Sequence, residues 1–259
     1  MISPKSRAAN SPITSFMNSI SNRFLVATFA FIPLLVHASE NPESLIKRGK
    51  LIFEDRFERT SSDGIGSDWT LNNKNGAQQA KIKDGILVIE KDPDAGHSTV
   101  VRHDAPFDDG VVKLRFRLFD KTGLKFNLND PKANKITWAG HVARVVLQPG
   151  KVTISDDMTG VYELGVRAKR KNKNLSPDER DAITKFIASK QPTFDAPIKL
   201  RQWHEMTLVN QGATFDVHID GTQVASFTSE GLDHAVKQNH SLGVSGKAEV
   251  DDLRIWSLD

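Results

Sequence analysis

The 259-residue chain contains no cysteine. This excludes disulfides, thiolate metal sites and a cysteine nucleophile. Without such staples the fold must rest on its own hydrophobic core, and the residues from 39 onward are numerous enough for a single all-β domain. Long apolar runs are also lacking. Phe24 to Val36 is the longest, and Thr28 and Pro33 interrupt it. A membrane-spanning helix needs about 20 predominantly apolar residues, so no span is expected in the mature chain. Nor is there a real excess of one charge. The whole chain has 35 Lys+Arg against 32 Asp+Glu, and Lys5, Arg7 and Arg23 are the only charged residues before position 39. The remainder is formally neutral and carries no nucleic-acid footprint.

Three catalytic signatures are missing as well. Sandwich glycosidases with two carboxylates place them on one strand face as Glu-x-Asp-x-x-Glu. The nearest fragment, Glu249-Val250-Asp251-Asp252, lacks the last acid and lies in the closing strand. His97, His141 and His204 lack the short spacing of a local zinc motif. No Ser-His-Asp order stands out. No metal or other cofactor is assigned, although a divalent metal is left open, with Asp251 or Asp252 as oxygen ligands.

The N-terminus has the composition of a signal peptide: basic residues, the Phe24 to Val36 apolar run, then Val36-His37-Ala38 with small residues at −3 and −1 of a cleavage point. Residues 1–38 are therefore expected to be a signal, 39–49 a polar leading segment and 50–259 one domain, secreted or periplasmic.

Within that domain the period is mostly two. Val112, Leu114, Phe116 and Leu118 alternate with Lys113, Arg115 and Arg117, as a half-buried strand requires. Leu124 to Asn129 repeats the pattern. Further strands are expected at Gln78 to Lys83, Ile86 to Glu90, His97 to His103, Trp138 to Leu147, Val152 to Ser155, Trp203 to Val209, Thr214 to Ile219, Gln223 to Phe227 and His240 to Ser245. Asp84-Gly85 and Asp220-Gly221 are hairpin turns, and Pro149-Gly150 joins two more strands. Leu51 to Phe57 and Glu249 to Trp256 suit adjacent places in one sheet, which is how a jelly-roll sandwich hides its edges. The alternation fails at Ala168, where residues 169–173 read as a basic loop. Ser176-Pro177-Asp178-Glu179 then starts a helix, the one short helical insert at about 176–190. The expected fold is all-β: a concanavalin A-like jelly-roll sandwich of two antiparallel sheets.

The order of short motifs resembles the 3-keto-disaccharide hydrolase family of concanavalin A-like jelly-roll proteins secreted by bacteria. The matching elements are Phe53-x-Asp55-x-Phe57 followed by Trp69, then Lys83-Asp-Gly-Ile-Leu87, Gly96-His97, Gly140-His-Val-Ala-Arg144, Asp156-Asp-Met-Thr-Gly160, Trp203-His204, Asp220-Gly221 and Val250-Asp-Asp-Leu253. They run over about residues 50–258. The resemblance implies a carbohydrate-active protein, with some members hydrolysing glycosides oxidised at the sugar's third carbon.

His141 and Arg144 are the leading catalytic candidates, since an imidazole and a guanidinium together can move a proton and polarise a carbonyl. In a regular strand they point to opposite faces, so a shared site requires a bulge, for which Gly140 is a candidate. Asp157 is expected to orient a histidine, act as base or bind sugar hydroxyls. His97, in a loop before a strand, is an alternative base. Lys125, Asn127 and Asn129 share one strand face and suit sugar hydroxyls. Trp138 is the stacking candidate, and Lys237 in a late loop is a further binding candidate. Three functions follow from these residues: an enzyme acting on 3-keto-glycosides, a non-catalytic glycan-binding module, or a structural surface protein whose sheet face is an interaction patch.

Overall fold

The computed structural model describes residues 40–60, 64–66, 68–72 and 79–259. The expected signal, its cleavage point and Gln78 lie outside the described residues. The secondary structure runs α1 (Pro42–Arg48), β1 (Lys50–Asp55), β2 (Thr70–Leu71), β3 (Ala80–Lys83), β4 (Ile86–Glu90), β5 (Thr99–Phe107), β6 (Gly110–Leu118), β7 (Leu124–Asn129), β8 (His141–Gln148) and β9 (Lys151–Asp156). It continues with α2 (Leu164–Lys171), α3 (Pro177–Ser189), β10 (Thr193–Asp195), β11 (Trp203–Gln211), β12 (Thr214–Ile219), β13 (Thr222–Thr228), β14 (Lys237–Val244) and β15 (Lys247–Ser257).

These strands form two antiparallel sheets. One follows the order β13-β12-β11-β6-β15-β4-β3, with β1 added against β15; the other follows β10-β9-β8-β7-β14-β5-β2. The ends of the domain meet as expected: Lys50 is opposite Ser257 and Asp55 opposite Leu253. Asp84 and Gly85 both have positive φ and close the β3–β4 hairpin, and Asp220 and Gly221 do the same for β12–β13. Such paired positive φ values match the twist of the strands they join.

The inward faces supply a core of aliphatic and aromatic side chains. Leu124, Phe126 and Leu128 of β7 are buried, as are Leu114, Phe116 and Leu118 of β6 and Phe215, Val217 and Ile219 of β12. Each such side chain contributes about 1.5–3 kcal/mol on leaving water. Trp69 belongs to this layer. Its Nε1 donates to Asp55 Oδ2 at 2.8 Å, and Arg59 reaches both oxygens of Asp55. The Phe53-x-Asp55-x-Phe57…Trp69 motif is thus an anchor for the first strand. Likewise, Lys199 N donates to His204 Nε2 at 3.0 Å, which leaves Nδ1 to donate to Asp220 Oδ2 at 2.7 Å. That bond ties the Trp203-His204 and Asp220-Gly221 motifs together.

The helical content exceeds one short insert. The leading segment 39–49 contains α1, capped by Asn41, with Leu45 buried against Val111 and Val209. The stretch read as a basic loop is mostly α2, whose first turn is capped by the Glu163 carboxylate on Gly165 N and Val166 N. The helix α3 has the expected Ser176–Glu179 capping box. Residues Trp138–Gly140 are a 3-10 turn outside strand β8, with positive φ at Ala139 and Gly140. Among the described residues no helix is long and apolar enough to cross a membrane.

Candidate functional site

The outward face of the seven-stranded sheet carries a row of polar residues set by register. Arg102 of β5 is opposite Ser241 of β14, Ser241 opposite Asn127 of β7, Asn127 opposite Arg144 of β8, and Arg144 opposite Ser155 of β9. Because side chains alternate across a strand, all five leave the same face. Above this row lies a cleft of about 440 Å³, within the range of small-ligand sites. His97, Lys125, Asn127, Trp138, His141 and Arg144 all line it.

The parity problem between His141 and Arg144 is solved by a bulge. Asn127 pairs with Arg144 and Leu128 with Ala143, yet Asn129 pairs with His141, so Val142 is the extra residue. Two backbone N–H groups, of Asp157 and Met158, both donate to Val142 O at 3.0 and 2.9 Å, which holds the irregularity in place. Gly140 contributes differently. At φ +72° its Cβ position is only 2.1 Å from Asp130 O, so a side chain there would collide with backbone. The glycine lets the chain turn Trp138 and His141 toward the cleft.

Three rings pack at the β8 end of the cleft. His141 lies 4.4 Å from Tyr162 and 5.7 Å from Trp138, with interplanar angles of 20° and 23°. Trp138 remains 45% exposed, and the Arg167 guanidinium of α2 lies 4.5 Å over its ring. The helical region therefore reaches the rim through α2, while no residue of α3 lines the cleft.

Arg144 is held from behind. Its guanidinium donates to Asp157 Oδ1 at 3.1 Å, Ser155 Oγ at 3.3 Å and Tyr162 OH at 3.2 Å, and it also lies 5.1 Å over the Tyr162 ring. Asp157 is fully buried and accepts a further bond from Ser155 Oγ at 2.6 Å. Asp157 thus holds the arginine and makes no hydrogen bond with a histidine. Burial lifts its carboxyl to about 6, against the opposing pull of Arg144; at neutral pH it is ionised and paired.

His141 is pushed down to about 4, first by burial and then by the charges of Arg144 and Arg102. It is neutral at physiological pH. Its Nδ1 is buried without a partner, which leaves Nε2 as the nitrogen able to exchange a proton with a bound molecule. Burial and the nearby Arg144 also lower Lys125. The nearest donor contact of Lys125 is a long 3.4 Å approach to Ser245 Oγ.

The remaining candidates fall in different places. His97 is exposed on the rim, with Nδ1 at 3.0 Å from Ser98 O. Asn127 is fixed by its Nδ2 on Ser241 Oγ at 3.1 Å. Asn129 is buried, does not line the cleft and donates to Asn239 Oδ1 at 3.0 Å. Lys237 is not in a loop: it begins β14, is fully buried and donates to Asp108 O at 2.7 Å, away from the cleft. His234, three residues before it, contacts Asp130 Oδ2 at 2.9 Å. Asp251 and Asp252 face Arg115 on the other sheet, and among the described residues no three His, Asp or Glu side chains group as metal ligands.

Tyr162, Arg102, Arg167 and Ser241 belong to the site and carry no motif. Tyr162 is the chain's only tyrosine, and it follows the Asp156–Gly160 motif by two residues, a signal that was available. Arg102 shares the parity of Val100 on its strand, but nothing in the sequence places that strand beside the His141 strand.

Comparison with curated proteins finds no match. Among solved structures the fold is similar to SCLam, a non-specific endo-beta-1,3(4)-glucanase from family GH16. The identity is 14% and the TM-score 0.51, over 81% of this chain and 91% of that one. It is also similar to a GlcNAcα1-4Gal releasing endo-β-galactosidase from Clostridium perfringens, at 10% identity and TM-score 0.50, over 80% of this chain and 62% of that one. At such identities these likenesses concern the fold alone. Residues 57–249, which include the whole seven-stranded sheet and every residue of the polar row, match the 3-keto-alpha-glucoside-1,2-lyase-like domain, and the chain belongs to that family.

Proposed function

We propose that the cleft binds a glycoside carrying a ketone at C3 and cleaves its glycosidic bond by elimination. A neutral imidazole beside oriented cations, in a cleft lined among the described residues by no carboxylate, is the observation that carries this reading. Two-carboxylate hydrolysis needs an acid and a second carboxylate on opposite sides of the bond, and the cleft supplies neither. Elimination needs a base and a stabiliser for an enolate. The C3 ketone acidifies the hydrogen on C2. His141 takes that proton, the electron pair forms the C1–C2 double bond, and the C1–oxygen bond breaks. The departing oxygen keeps the bonding pair and takes a proton from solvent or from imidazolium. Arg144, fixed by Asp157 and Ser155, and Lys125 stabilise the negative charge that develops on the ketone oxygen. Trp138 offers an apolar face to the sugar, and Asn127 offers its amide to hydroxyls. His97 on the rim is the alternative base.

The test is a panel of 3-keto-glycosides and their unoxidised parents, incubated with the protein with and without divalent metal. Release of the leaving group from keto forms alone is expected. Release from neither set would overturn the enzyme reading.

A second reading, a glycan-binding module, is favoured by the half-exposed Trp138 ring beside the polar row. It requires binding of unoxidised glycans, loss of that binding in Trp138→Ala, and no product. We also propose export, on the composition of residues 1–38. N-terminal sequencing of the exported protein should begin at Ser39, and retention of residue 1 would contradict it.

A further inference from the structure

The lining of the cleft is one-sided in charge. Arg102, Lys125 and Arg144 all face it, and among the described residues no Asp or Glu does. Among the described residues only Arg144 has a counter-ion, the buried Asp157. Lys125 is partly buried with no carboxylate partner. Arg102 has no ion pair and no hydrogen bond from its side chain among the described residues, although Asp104 lies two positions along on the same strand face. An elimination through an enolate develops one negative charge. Arg144 on His141's own strand and Lys125 on the neighbouring one suffice for it, which leaves Arg102 over.

Position separates the two roles. Arg102 and Arg144 are three strand steps apart in the same row, through Ser241 and Asn127. At the ordinary strand spacing their backbones are about 14 Å apart. With the ketone-bearing ring against His141 and Trp138, a pyranose does not span those backbones, and the rest of the glycoside extends toward β5.

We propose that this portion is the leaving group, that it is anionic and that Arg102 receives its charge. The inference rests on the glycoside reading of the cleft and names the substrate class within it. A carboxylate, sulfate or phosphate would share this chemistry. An anion at that place also relieves a cost to the base: Arg102 is among the charges that hold His141 low, so the bound anion moves the imidazole back toward its ordinary range.

The experiment compares phenyl α-glucoside with its 4-carboxyphenyl and 4-sulfophenyl counterparts. Binding is measured on the unoxidised forms and turnover on the 3-keto forms. A single charge-assisted hydrogen bond predicts about 10- to 100-fold tighter binding of both anionic forms, weakened by added salt. Arg102→Gln should reduce that preference to near one, and Arg102→Lys should keep most of it. Arg102 is exposed, so these variants test charge without disturbing the core. A carboxylate-only preference would identify the anion as a carboxylate. Equal binding of charged and neutral forms by the native protein would overturn the inference, as would a preference that survives Arg102→Gln. A preference shown by methyl glucuronide over methyl glucoside, with none for the charged phenyl forms, would overturn the placement over β5. If charge preference holds while no keto form is turned over, the elimination reading fails and the anionic subsite stands.

Discussion

His141 and Asp157 should impose opposite pH slopes on stability, and removing either should reveal the other. Asp157 titrates near 6 when folded against an ordinary 3.8. Between those values the folded chain holds a proton that the unfolded chain has released, so stability falls as pH rises through the window. The full penalty, present above pH 6, is about 3 kcal/mol. His141 titrates near 4 when folded against an ordinary 6.5. Between those values the unfolded chain holds the extra proton, so stability rises with pH, also by about 3 kcal/mol. In the native protein the two nearly cancel between pH 4 and 6. In Asp157→Asn the cancelling term is gone, and stability relative to the native protein should climb by about 3 kcal/mol from pH 4 to 6. In His141→Gln the relative stability should fall by a similar amount over pH 4 to 6.5. Urea unfolding at half-unit pH intervals gives both difference curves. Flat difference curves, or slopes of the same sign, would refute the assigned protonation states. At neutral pH, Asp157→Asn also leaves Arg144 without its counter-ion, which pushes His141 lower still and weakens it as a base.

Other outcomes follow from individual contacts. Asp156 is fully buried and accepts from Ser229 Oγ, Thr159 Oγ1, Lys190 Nζ and Gly231 N; Asp156→Ala should cost about 3–5 kcal/mol in chemical denaturation and loosen residues 229–231 in hydrogen exchange. Gly140→Ala meets Asp130 O, so its crystal structure should show Trp138 and His141 displaced, with sugar binding reduced at least tenfold. His240 is fully buried, both ring nitrogens lack partners, and burial pushes it down to about 3. Its stability contribution is therefore lost as pH falls below 6.5, and His240→Phe should lose less stability than the native protein on acidification from pH 6.5 to 4.

The fold was legible where the signal is local. Asp84-Gly85 and Asp220-Gly221 specify their turns through two consecutive positive φ values, and the alternation of β6 and β7 follows from one apolar face. The α2 helix was not legible because Lys169 to Lys173 reads as solvated loop; the residue that starts the helix is Glu163, whose carboxylate caps it from outside the basic run. The site was legible in part. His141, Arg144, Lys125, Asn127, Trp138 and His97 converge, but the bulge that brings the first two together sits at Val142. It depends on two amides donated from the end of β9, a contact made only after the strands pair. Asp157's partner was misread for the same reason: register, not spacing, places it behind Arg144. Lys237 looked like a loop cation because the strand was expected to start only at His240, yet its ammonium is satisfied by the Asp108 carbonyl just past the end of β5.

The central claim, elimination driven by His141, is tested most directly with a 3-keto-α-glucoside carrying deuterium at C2. Turnover of the native protein and of His141→Gln would be measured on labelled and unlabelled substrate, with folding of the variant checked by circular dichroism. The account predicts slower turnover of the labelled substrate by the native protein, and a loss of about 100-fold or more in the folded variant. Turnover unchanged in His141→Gln would contradict it.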